Sequence, residues 1–274
     1  MIAPLMISFL FWLGACAQPV ADPACVDSPQ LFGTPTEATG LGTDECAPTC
    51  TSCAAGPWTQ PVYTAADFAD WRAWSLLDPP AALTTDPYLQ PAPEAPDDDA
   101  VCAMVPSGAT YRLQDYPTEA AALAAGAEVT HFGVCGLCSS LVDLAVYAET
   151  PDLTEPVRAC GLESMNGDIS ELTACIAAIG FTPACASVWA YNTLNTRDAC
   201  LSECLEYLDA PYNEPDGSLN PCLQCDEDES GAVFLAVAGR TRRNTGLASS
   251  MCRPCSEVRP LVHAYGPPGS ASGS

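Results

Sequence analysis

Apolar positions along this chain recur mainly at helical spacing. The clearest case lies between Asp168 and Gly180. Leu172, Cys175, Ile176 and Ile179 share one face, Asp168 stands at the N-cap with Glu171 three residues on, and Gly180 takes the place just past the end. Thr182-Pro183 restarts a helix at once, with Cys185, Val188 and Trp189 turned inward. Thr196 is placed to cap another, in which Cys200, Leu201, Cys204, Leu205 and Leu208 form a stripe. Cys200 and Cys204 lie one turn apart on it, so both are expected to point at cysteines of neighbouring helices such as Cys175 or Cys185.

Weaker patterns fill the region between Val101 and Tyr265. Pro117 to Ala127 reads as an Ala-rich helix, and Ser139 or Ser140 opens one running to about Ala148. Leu153 to Met165 carries Val157, Cys160 and Leu162, and a last helix is expected from about Gly231 with Val233, Phe234 and Val237 inward. Only Tyr111 to Tyr116 reads as a strand. The pattern therefore predicts a mainly α, disulfide-stapled multi-helix domain with little β.

The N-terminal part reads differently. Residues 18–100 hold 13 of the 26 prolines and 13 acidic residues against one arginine, Arg72. Each proline fixes φ and turns its predecessor away from helix, so a Pro-rich irregular extension is expected. One helix interrupts it at Thr64 to Leu77, where Thr64 and Asp67 make a capping box and Phe68 and Trp71 form an aromatic stripe suited to docking on the main domain. Residues 1–17 have the length and small-x-small end of a signal peptide, although without Lys or Arg. Leu13-Gly14-Ala15-Cys16 also fits a lipoprotein box, which would anchor the chain through a lipid on Cys16. The expected organisation is a signal at 1–17, an acidic extension at 18–100, a Cys-rich helical domain at 101–265 and a flexible tail at 266–274.

Cysteine usage sets the compartment. The chain has 17 cysteines. Removing Cys16 by either processing route leaves an even set, as a closed disulfide framework in an oxidising compartment requires. Cys25, Cys46, Cys50 and Cys53 sit close enough in sequence to close two local bridges. Net charge is −25, with nine arginines and no lysine. Such a chain repels phosphate backbones, which excludes nucleic acid as an expected partner, and approaches a membrane only if Cys16 is lipidated.

Candidate chemistry centres on His131, Cys135 and Cys138 in HFGVCGLCSS. A C-x-x-C pair at a helix start is the arrangement of a thiol-disulfide oxidoreductase, since the helix end stabilises a thiolate and the second thiol resolves a mixed disulfide. His131, Cys135 and Cys138, with His263 as a distant fourth, could alternatively ligate zinc. Cys222, Cys225, Cys252 and Cys255 form two C-x-x-C pairs with zinc-ribbon spacing. In an exported chain disulfides are the expected fate of all of them, with no cofactor, and zinc is the alternative. Arg240, Arg242 and Arg243 make the one basic patch. Pairing with the acids at Asp226 to Glu229 is expected, and an anionic ligand is the other reading.

HFGVCGLCSS, YNTLNTRDACL, CLQCDEDESG and AGRTRRNTG together resemble a group of uncharacterised Cys-rich secreted proteins of marine microalgae. That resemblance implies a secretory signal and no particular activity. The functional expectation is an exported interaction or structural protein with an unknown protein or surface partner and no evident catalytic site. A CGLC oxidoreductase and a zinc protein are the alternatives.

Overall fold

The computed structural model describes residues 31–51, 57–91, 99–165 and 168–269. The expected leader, Cys16, Cys25 and Cys53 lie outside the described residues. In chain order the elements are β1 (Leu31–Phe32), β2 (Cys46–Ala47), β3 (Thr49–Cys50), β4 (Trp58–Thr59), α1 (Ala65–Ala73), β5 (Ser75–Leu76), β6 (Val101–Ser107) and β7 (Thr110–Tyr116). There follow α2 (Glu119–Ala124), β8 (Glu128–Phe132), α3 (Leu141–Glu149), α4 (Thr154–Glu163), α5 (Ile169–Ala178), α6 (Pro183–Glu206), α7 (Pro221–Ala238), α8 (Arg242–Thr245) and β9 (Arg253–Pro254).

The expectation of a mainly α fold with little β does not hold. Of the described residues, 43% are helical and 15% strand, with three sheets that include a curled half-barrel. The largest sheet has the order β5-β7-β6-β8. β6 and β8 escape a periodicity reading because both are buried runs: Val101, Cys102, Ala103 and Met104 are all at 0% exposure, as is His131 in β8. A strand covered on both faces loses the alternation that would reveal it. Gly108, at φ +63, serves the tight turn from β6 into β7.

Helix ends follow local chemistry where a cap is present. Thr64 and Asp67 form the capping box of α1, and Asp168 accepts from the backbone of Ser170 and Glu171 at the head of α5. Two helices run further than the pattern suggests. α6 continues unbroken through Thr196, whose hydroxyl lies 2.9 Å from the Asn192 carbonyl one turn back instead of capping a new helix. α7 begins at Pro221, with Asn220 as N-cap, so the C-x-x-C pair and the acidic run lie inside it.

The N-terminal part is woven into the rest. β1 pairs with β2 in parallel and with β9 antiparallel, Leu31 standing opposite Pro254. Phe68 and Trp71 enter the main core with Leu141, Leu144, Leu172 and Ile176. Trp71 is 1% exposed and meets Tyr63, Phe68 and Tyr265 edge to face.

Seven disulfides are described: Cys46–Cys252, Cys50–Cys255, Cys102–Cys135, Cys138–Cys185, Cys160–Cys175, Cys200–Cys225 and Cys204–Cys222. Cys46 and Cys50 therefore bridge to the C-terminal part over 206 and 205 residues and close no local pair. Cys200 and Cys204 join α7, not Cys175 or Cys185. This density of bridges fits an oxidising, extracytoplasmic environment. Among the described residues no helix is long and apolar enough to cross a membrane.

Candidate functional site

The stretch around His131 is assembled as a closed node. Cys135 bonds Cys102 in β6 and Cys138 bonds Cys185 in α6. The two CGLC sulfurs thus belong to different bridges, so the free dithiol that an oxidoreductase needs is not formed, and that reading is corrected. Cys102, Asp115 and Cys135 converge closely, but both sulfurs are spent on each other, and the Cys135 N–H donates to the Asp115 carboxylate at 2.6 Å.

His131 lies at the centre of this node. Its Nδ1–H donates to the Phe132 carbonyl at 2.9 Å, which leaves Nε2 to accept from the Ser139 hydroxyl at 2.7 Å. Ser139 Oγ in turn accepts the Gly136 N–H at 2.7 Å. A serine hydroxyl donating to a neutral imidazole is the contact that activates a nucleophile. Here both residues are at 0% exposure, so the pair braces the loop instead. Burial holds His131 well below the ordinary histidine value, and the nearby Arg240 cation adds to that. Arg240, itself fully buried, donates to the carbonyls of Thr130, Cys138 and Ser139 at 2.8–3.0 Å. His263 forms no ligand set with His131: its Nε2–H donates to the Thr245 carbonyl at 2.9 Å.

The zinc-ribbon pattern is not assembled either. Cys222, Cys225, Cys252 and Cys255 bond Cys204, Cys200, Cys46 and Cys50 in four separate bridges. Their sulfurs are held as disulfides and offer no thiolate quartet.

A different feature presents itself to solvent. α4, α6 and α7, with the segment that follows α8, enclose a cleft of about 350 Å³. That volume lies in the range of small-ligand pockets, roughly 300–1,000 Å³. Leu153 and Val157 of the α4 segment, Trp189 and Leu194 of α6, and Leu223 and Phe234 of α7 contribute apolar wall. Leu162, Met165, Leu201 and Leu205 also line it and stay 45–60% exposed, an apolar rim that water would not favour. Gly161 allows the close crossing of α4 over α6, since a Cβ there would stand 2.9 Å from the Thr193 methyl. Three bridges set the spacing of the walls. Cys160–Cys175 holds α4 to α5, and Cys200–Cys225 and Cys204–Cys222 hold α6 to α7.

Polar groups gather on this cleft as well. Five of the chain's nine arginines line it: Arg158, Arg197, Arg242, Arg243 and Arg253. Glu227 bridges Arg243 and Arg253, and Arg243 also reaches Glu257 at 2.9 Å. Burial works against the Glu227 charge, but Arg253 and Arg243 outweigh it and hold the carboxyl below its usual range. The expected pairing of the basic patch with the acidic run is thus made by Arg243 alone, while Arg240 and Arg242 turn to backbone carbonyls. Asp226 is half-buried between α6 and α7, accepts from Asn192 and Thr196, and has its carboxyl raised by desolvation.

In the sequence Arg242 stands out only within the basic patch, and Leu162, Leu201 and Leu205 are not recognisable there as one surface. The stripe on α6 carried the signal: Leu201 and Leu205 follow the same spacing as the bridged cysteines, yet face a cleft and not a neighbour.

A model of a family of unknown function (DUF8771) matches residues 169–260, the stretch from α5 to just past β9. No curated protein and no solved structure matches the chain.

Proposed function

We infer that this chain is an exported binding protein, secreted or held at a surface through a lipid on Cys16, that takes an apolar ligand into the cleft between α4, α6 and α7. The observation that carries the reading is the half-exposed rim of Leu162, Met165, Leu201 and Leu205 around a cavity whose walls are cross-linked. Burying such a rim is favourable by about 25 cal/mol per Å² of apolar surface. A pre-formed wall spares the ligand the cost of ordering the site. Catalysis finds less support, because the Ser–His contact lies inside the node and the described cysteines are in bridges.

The test uses the full, oxidised chain titrated with a neutral solvatochromic dye such as Nile red. Saturable binding of one dye per chain, lost in Leu201→Glu and unchanged in Leu123→Glu on α2, outside the cleft lining, is expected. Absence of saturable binding overturns the reading.

A further inference from the structure

The cleft is not uniformly apolar, and its one chemically unsatisfied corner identifies the ligand's polar end. Ser250 is 1% exposed and lines the cleft, yet its hydroxyl is the one buried side-chain polar atom without a hydrogen-bond partner among the described residues. Buried hydroxyls are seldom left so. Arg242 lines the same cleft. A guanidinium carries five N–H donors. Three hydrogen bonds are made, to the carbonyls of Tyr147 at 2.7 Å, Ala248 at 3.0 Å and Thr150. Two donors are left over, and no carboxylate pairs with the group among the described residues, whereas Arg243 and Arg253 share Glu227. The three acids that line the cleft are engaged elsewhere. Asp152 accepts from the Tyr212 hydroxyl and the Thr154 N–H at 3.0 Å, Asp226 from Asn192 and Thr196, and Glu227 from its two arginines.

Arg242 and Ser250 are both held to the turn before α4. Arg242 donates to the Thr150 carbonyl, and the Ser250 N–H donates to the next one, that of Pro151, at 3.2 Å. This turn leads into α4. Leu162, on the exposed rim, lies nine residues beyond Leu153 along that helix, roughly 14 Å at the helical rise. Cation and hydroxyl therefore occupy one end of the cleft and the apolar rim the other.

We propose that the cleft binds a single-chain amphiphile with a carboxylate head, a fatty acid, whose head accepts hydrogen bonds from Arg242 and Ser250 and whose chain runs along α4 to the Leu162 and Leu205 rim. This rests on the cleft reading above. A carboxylate matches the donors in number and charge. It supplies the direct carboxylate partner that Arg242 does not have among the described residues, where Asp152 acts on it only at a distance, and an acceptor for the Ser250 hydroxyl. An alcohol of the same chain length would fill the apolar part and leave the cation unpaired.

The full oxidised chain is titrated calorimetrically with laurate and with dodecanol, and the same is done for Arg242→Gln and Ser250→Ala. Laurate is expected to bind at least ten-fold more tightly than dodecanol. Arg242→Gln should bring laurate down to the dodecanol level without changing dodecanol. Because Arg242 also holds three carbonyls, Ser250→Ala is the second probe: its side chain has no partner to lose, so the fold is kept and laurate affinity drops several-fold. Equal binding of laurate and dodecanol, with both variants silent, overturns the head-group assignment while leaving the apolar cleft in place. Binding of neither ligand, nor of the neutral dye, removes the cleft reading itself.

Discussion

At the scale of single residues, the fold is organised by buried polar groups more than its composition implies. Arg240 is fully buried and donates only to backbone carbonyls. Its removal strands three acceptors in the interior, so Arg240→Met is expected to cost more than about 3 kcal/mol, measured by chemical denaturation. Lysine should not rescue it, because one ammonium cannot reproduce the planar fork. The histidines predict a pH dependence. Burial brings His263 from 6.5 to about 3, and His131 moves in the same direction. Each is neutral when folded and takes up a proton on unfolding below its ordinary value. Their contribution is complete above about pH 6.5 and declines by about 1.4 kcal/mol per pH unit for each as the pH falls. For His263 the decline continues to about pH 3. Imidazole NMR shifts of the folded chain should show both rings neutral near pH 5, and a charged ring there would refute the assignment.

At the scale of elements, α7 and the CGLC loop approach each other closely. The N–H groups of Leu137 and Cys138 donate to the carbonyls of Val237 and Ala238 at 3.0 and 2.9 Å. A Cβ on Gly136 would stand 2.5 Å from the backbone of Ala238 and Gly239. Gly136→Ala is thus expected to push the end of α7 away and destabilise by about 3 kcal/mol, seen as a lowered melting temperature. The Cys138–Cys185 bridge ties the same loop to α6 across 47 residues. Replacing both cysteines with alanine should cost about 2–4 kcal/mol by the same measurement. Helix α6 shows why its pattern misleads at this scale. It packs against α5 on one side and α7 on another, so it carries apolar residues around much of its circumference.

At the scale of the whole molecule, the bridges Cys46–Cys252 and Cys50–Cys255 bring together parts of the chain more than 200 residues apart, beside the β1–β9 pairing. Peptide mapping of the oxidised protein should recover both as linked fragments. Loss of either link in favour of local pairing would refute the arrangement. Charge acts at this scale too. Five of the nine arginines gather on one cleft of a chain whose net charge is −25, and of these Arg242 alone has no carboxylate ion pair among the described residues.

Local chemistry is legible in the residues alone. Capping residues set the starts of α1 and α5, the Ser140 hydroxyl caps α3 near where a start was read, and cysteine number pointed to a bridged framework. These follow from groups within a few residues of one another, or from counting. Tertiary structure decided the rest. β6 and β8 became strands because other elements cover both their faces, which no alternation could announce. The bridge partners were set by which elements meet in space, since sequence spacing constrains neither Cys46 nor Cys200 to a given sulfur. His131 looked like the start of an active site because a histidine beside two thiols is chemically suggestive. Packing placed it at zero exposure and spent both thiols elsewhere. The cleft arises where three helices cross without filling the space between them, and such a gap has no sequence pattern of its own.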